Sequence, residues 1–170
     1  MKRHKEINTK MNTQHTYYER KNMKKSKIKD LEPFQRNLNL VFKVIKKGYS
    51  KRIHKTGSFV SECLIADDTG AILLTVWDED IEMLETGEYF SISKGYVNIH
   101  RNKLKLNKKR YGQIEPYPDQ GYDINMDNNL SNEIYDRTMT LLKSRNISPE
   151  MVGNQVNLGQ DNVKIVGMNN

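Results

Sequence analysis

Two aromatic residues carry the most specific chemistry in this 170-residue chain. They are Trp77, its only tryptophan, and Tyr96. Both follow runs in which apolar residues alternate with other types. In a strand, successive side chains face opposite ways. Ile72, Leu74 and Val76 then point inward, while Leu73, Thr75 and Trp77 point outward. Phe90 and Ile92 point inward by the same rule. Gly95 permits a bulge that resets the register, after which Val97 and Ile99 point inward and Tyr96, Asn98 and His100 outward. An indole and a phenol on one outer surface of a small β structure form a stacking platform for unpaired bases, because every base has a π face. His100 adds an imidazole on the same register.

Basic residues surround this platform. Lys51, Arg52 and Lys55 lie in a turn-rich loop, 46–58. Lys103, Lys105 and Arg110 lie on or just after the last strand, where Leu104 and Leu106 alternate inward and Lys103, Lys105 and Asn107 outward. Such cations could follow the phosphates of a bound strand, with salt-dependent affinity. Other chemistries find less support. Asp78, Glu79, Asp80 and Glu82 crowd beside Trp77, but carboxylates adjacent in a turn diverge, and no partner set for a divalent ion appears elsewhere. His4, His15, His54, His100 and Cys63 lack zinc-ligand spacing. No phosphate-binding glycine loop, dinucleotide fingerprint or nucleophile elbow occurs. The expectation is a binding protein with no catalytic site, metal or cofactor.

The elements that must hold these residues follow from the pattern. Leu38, Leu40, Phe42 and Val44 alternate as a first strand. A second spans Phe59 to Ala66, with either Phe59, Cys63 and Ile65 or Val60 and Leu64 inward. The residue types of Asp67 to Gly70 make a tight hairpin turn. The third strand ends at Trp77, and residues 78–87 form a short helix or turn ending at Gly87. The fourth runs from Glu88 to His100, Arg101 and Asn102 turn the chain, and the fifth is Lys103 to Asn107. Five short strands, a bent fourth and a helix between the third and fourth predict an all-β, five-stranded OB-fold barrel. An SH3-like barrel is the main competitor.

Charge divides the chain further. Residues 1–30 carry ten Lys/Arg and three Asp/Glu, residues 31–115 fourteen and eleven, and residues 116–170 four and seven. This predicts a disordered basic arm over 1–30, a barrel over 31–115, and a linker and acidic tail over 116–170. Ser131 is placed to cap a helix over 131–144. Ser148-Pro149-Glu150 could open a brief turn. The cluster Lys24, Lys25, Lys27 and Lys29 reads equally as a nuclear import signal, a phosphate contact or a solvated tail. One cysteine and no long apolar run point to a reducing compartment and no membrane span.

Four segments then stand out together. They are Asn37 to Ile45, Cys63 to Gly70 with its Ala-Asp-Asp-Thr-Gly turn, Leu74 to Asp78, and Ser93 to Tyr96. In order and spacing they resemble the single-OB-fold, single-stranded-DNA-binding proteins that serve as the DNA-binding component of the SOSS (sensor of single-stranded DNA) complex, and related archaeal proteins. The resemblance covers about Ile28 to Ile114. It implies a monomeric OB module that binds single-stranded DNA in genome maintenance, above all in double-strand-break repair; the expected compartment is the nucleus. It also implies stacking at Trp77 and Tyr96, a basic contact at Arg110, and docking on a large helical scaffold subunit. Two further aromatics of that family align with His100 and Asn107 here. Two other readings stand beside it: a protein-interaction OB subunit of a telomere or replication complex, and an OB module for single-stranded RNA or tRNA.

Overall fold

The computed structural model describes residues 24–147. The basic arm up to residue 23 and the turn at Ser148-Pro149-Glu150 lie outside the described residues. Six strands are present: β1 (Arg36–Lys47), β2 (Lys51–Arg52), β3 (Phe59–Ala66), β4 (Ala71–Trp77), β5 (Tyr89–His100) and β6 (Lys103–Pro116). Their order is β1-β5-β6-β4-β3-β2, and β1 also pairs with β3. That second pairing closes β1, β5, β6, β4 and β3 into a barrel, leaving β2 as a short extension on β3. The β4–β6 pairing is parallel and the barrel's other pairings are antiparallel. The fold is therefore the expected OB barrel, with α1 (Glu79–Met83) between β4 and β5.

The core follows the predicted parity. Leu38, Leu40, Phe42 and Val44 of β1, Ile72, Leu74 and Val76 of β4, and Ile92, Val97 and Ile99 of β5 are all buried. In β3 the inward set is Ser61, Cys63 and Ile65, while Val60 and Leu64 are half-buried on the outside. Burial pushes the Cys63 thiol up from its ordinary range, so it behaves as a small apolar side chain. At the α1 end, Leu84 is buried and Ile81 and Met83 pack against the core. Asp78 leads into α1 at φ 44° and ψ −114°. Its carboxylate accepts from the Phe59 N–H at 2.7 Å, and its own N–H donates to the Phe59 carbonyl at 3.1 Å. That locks the turn directly after Trp77.

Four expectations need correction. First, the folded unit starts before Leu31: Ile28 sits in a single 3-10 turn, Ile28–Asp30, and is fully buried. Second, β6 continues nine residues past the expected end at Asn107. Its apolar alternation stops at Leu106, but backbone pairing with β5 resumes at Gln113. Third, part of the predicted linker packs on the barrel: Tyr122 meets Tyr89 edge-on at 5.8 Å. Fourth, Ser131 caps no helix. Its buried hydroxyl accepts from the Leu73 N–H at 2.8 Å and donates to the Leu104 carbonyl at 2.6 Å. It thereby stitches β4 to β6. Helix α2 begins later, at Arg137–Ser144, and Asp136 caps it by accepting from the Met139 N–H.

The tail closes the second barrel end. The Ala71 N–H donates to the Asn128 carbonyl and the Leu130 N–H to the Ala71 carbonyl, and Leu130 belongs to the same buried core cluster as Ile28 and Leu31. Asp67 joins the pieces. One of its oxygens accepts from the N–H groups of Thr69 and Gly70, the other from the Ile28 N–H, and its carbonyl from the Asn125 N–H. Gly70 has to be glycine, because a Cβ there would lie 2.7 Å from the Asn128 carbonyl oxygen.

Candidate nucleic-acid interface

Residues directly opposite across paired strands share a face, so the register maps the outer wall. Tyr96 lies opposite Asn107, and Asn107 opposite Thr75. Trp77 follows two residues later on β4, on the same side. Strand spacing and rise put the two aromatic positions about 12 Å apart on one wall. That separation is short enough for a single stretch of unpaired strand to span. Trp77 is 46 % exposed, and Tyr96 is half-buried. The inward positions beside them, Val76 and Val97, are filled, so neither ring belongs to the core.

Cations border this pair unevenly. Lys51 pairs with Val60, which pairs with Trp77, so Lys51 flanks Trp77 on the same face. Arg52 pairs with Phe59 and turns to the opposite face of the β2 ribbon. Lys55 is exposed in the 53–58 turn. His100 and Lys103 face each other at the exposed end of the β5–β6 hairpin, on the Tyr96 wall but four residues further on. Its two-residue turn uses positive φ at both Arg101 and Asn102, the twist that suits a tight hairpin. Arg110 is exposed and lies beyond Asn107, where β6 leaves the ladder.

Lys105 departs from expectation. It points to the outer face, as predicted, but it is only 4 % exposed. Its ammonium is committed to the Glu62 carboxylate, two strands away across β4. A long apolar stem lies easily along a sheet with its charge held at the far end. An internal ion pair therefore occupies the middle of the wall, where a cation for phosphate was expected. The acidic turn is committed as well. Asp78 braces Phe59, and Asp80 pairs with Lys108 at 2.6 Å. Among the described residues no cluster of three or more His, Cys, Asp or Glu could hold a metal ion.

A family model described as "Single-stranded DNA binding protein Ssb-like, OB fold" matches residues 31–116, half of the chain. The chain belongs to this family. Among curated relatives, an uncharacterized protein of Arabidopsis thaliana is 28 % identical over 74 residues, 44 % of this chain and 48 % of that protein. The single-stranded DNA binding protein Ssb of Saccharolobus solfataricus is 20 % identical over 98 residues, 56 % of this chain and 66 % of that one. The chain thus spans about half to two-thirds of the length of these relatives. The solution structure of a hypothetical protein from Arabidopsis thaliana has the same fold, with a TM-score of 0.57 and 24 % identity over 65 % of this chain and 85 % of that one.

Three exposed residues of this Ssb-like chain are not evident as such from the sequence. Arg36 lies opposite Tyr96 on β1, before the point where alternation becomes visible. Phe59 is 46 % exposed although its parity is inward, because it stands at the rim where β3 begins. Tyr49, in the 48–50 loop, is almost fully exposed. Its position between basic residues was the one available signal. The basic cluster of the arm is also more structured than a solvated run. Lys25 sits 4.3 Å over the Tyr117 ring, and Lys27 pairs with Asp68 at 2.5 Å while lying over Tyr122.

Proposed function

We propose that this chain binds single-stranded DNA along the outer wall of β3, β4, β6 and β5. Trp77 and Tyr96 stack on bases, and Lys51, Lys103 and His100 line the path of the backbone. One observation carries the reading: the two rings share a wall and stand outside the core. Family membership supports the ligand class. The resemblance of its motifs to those of the DNA-binding component of the SOSS complex supports a role in genome maintenance, which we take to be the repair of double-strand breaks in the nucleus alongside a helical scaffold subunit. In this reading the protein acts by binding alone.

The test is fluorescence anisotropy of a labelled dT oligonucleotide at two salt concentrations. Stacking contributes ~1–3 kcal/mol per base. Trp77→Ala combined with Tyr96→Ala should therefore weaken binding at least about tenfold while circular dichroism keeps its β signature. Unchanged affinity would remove the platform. Duplex DNA should compete poorly, and single-stranded RNA of equal length reports the choice of sugar.

A second reading draws on the tail. Ile134 is 84 % exposed beside α2, which buries none of its residues. A protein-interaction OB subunit would use such apolar positions to hold a partner chain. Negligible affinity for single-stranded DNA at moderate salt would favour it.

A further inference from the structure

One pair beyond Tyr96–Asn107, β6 leaves the ladder. Gly95 pairs with Lys108 and Ser93 with Gln113. Four residues, 109–112, therefore stand opposite the single residue Lys94. The extra length bulges outward as a knuckle, and Lys94 accommodates it at φ 53°. The knuckle is held firmly at its base. A Cβ on Gly112 would come within 2.5 Å of the Ser93 carbonyl oxygen, so its backbone presses directly on β5. The Lys109 ammonium donates to the Asn37 side chain at 2.7 Å. Lys108 is tied to Asp80. At the crest, Tyr111 is 76 % exposed, and the Arg110 guanidinium lies 5.7 Å from its ring centroid.

A large ring held out in water on a braced bulge, with a cation against it, contributes little to the core. It has the makings of a stacking surface with a phosphate contact beside it. The other end of the wall is less open. There the tail runs along the start of β4, and the Tyr135 N–H donates to the Asn102 carbonyl at the hairpin tip. A strand passing Trp77 and Tyr96 therefore has its clearer exit over the knuckle. We propose that Tyr111 is a further base-stacking station for the same unpaired strand, lying past Tyr96, with Arg110 on the adjoining phosphate. This rests on the wall being the nucleic-acid site, and it lengthens that site.

The experiment is a dT length series with four proteins: the unaltered chain, Tyr111→Ala, Trp77→Ala, and Trp77→Phe combined with Tyr111→Trp. Tyr111→Ala should leave the shortest oligonucleotides that bind unaffected and weaken longer ones about tenfold. Trp77→Ala should weaken every length. In the doubly substituted protein the indole at 111 is the only one, and its fluorescence should be quenched only by the longer oligonucleotides. If Tyr111→Ala is neutral at all lengths and the relocated indole is not quenched, while Trp77→Ala still weakens binding, the station is wrong and the wall stands. If Trp77→Ala changes nothing, the wall reading fails and takes the station with it.

Discussion

The Glu62–Lys105 pair decides how much positive charge the wall presents. Lys105 is almost buried and Glu62 roughly half exposed. The carboxylate end is thus partly solvent-screened, while the buried ammonium depends on it as its charge partner. On the proposed reading the pair's larger effect is on binding, because it holds an ammonium away from phosphate and places a carboxylate near the path proposed for the strand. Glu62→Gln should raise affinity for single-stranded DNA at a cost in stability, because the nearly buried ammonium loses its counter-charge. It should also steepen the dependence of log K on log salt by about 0.7, the contribution of one more phosphate contact on a single strand. Adding Lys105→Gln should return the slope to its starting value. A slope that ignores both changes would mean that this ammonium never meets a phosphate. Nothing local in the sequence announces the pair: the two residues lie 43 positions apart, and parity alone places Lys105 in solvent.

Among the elements, the tail gives the clearest contrast between a local rule and a tertiary one. Ser131 precedes a polar stretch with loose apolar spacing, so local rules make it a helix cap. Its partners are Leu73 and Leu104, 58 and 27 positions away. The segment from Asn128 to Ser131 instead lies along β4 near the seam where β4 and β6 begin to separate. Ser131→Ala would leave a half-buried N–H and a buried carbonyl without this partner, at a cost of ~1–3 kcal/mol. The urea midpoint should fall while the helical signal of α2 persists. Asp136→Ala should do the reverse, fraying α2 for about 1 kcal/mol and leaving barrel stability nearly unchanged. If Ser131→Ala melted α2 and spared the midpoint, the stitch would be refuted. The strands themselves were legible, because inward Leu, Ile and Val at every second position specify a half-buried ladder. The knuckle was not. Lys108 to Tyr111 carries no alternation, and a bulge leaves no period to read.

At the scale of the molecule, the barrel is completed by chain outside its strands. Ile28 enters from one side of the sequence and Leu130 from the other, and both join the core beside the start of β4, the end of that strand opposite α1. Asp67 ties the two entering segments to the β3–β4 hairpin through Ile28 and Asn125. Composition could not show this, since both segments are polar and each supplies one or two large apolar residues to a core built mainly elsewhere. A chain cut to residues 31–116, the span of the family match, loses both plugs. Full burial of an aliphatic side chain stabilises by ~1.5–3 kcal/mol, so the cut removes about 3–6 kcal/mol from a margin that in most domains is only ~5–15 kcal/mol. A chain of residues 24–135 keeps both plugs and should unfold near the full-length midpoint in urea, whereas 31–116 should unfold far earlier or fail to fold. Both shorter chains keep Trp77 and Tyr96. Under conditions where the shorter one is still folded, its affinity for a dT oligonucleotide should therefore match that of the longer one. Equal midpoints for the two would show that the plugs do not close the barrel. A lower affinity at equal foldedness would show that the segments shape the wall as well as hold it.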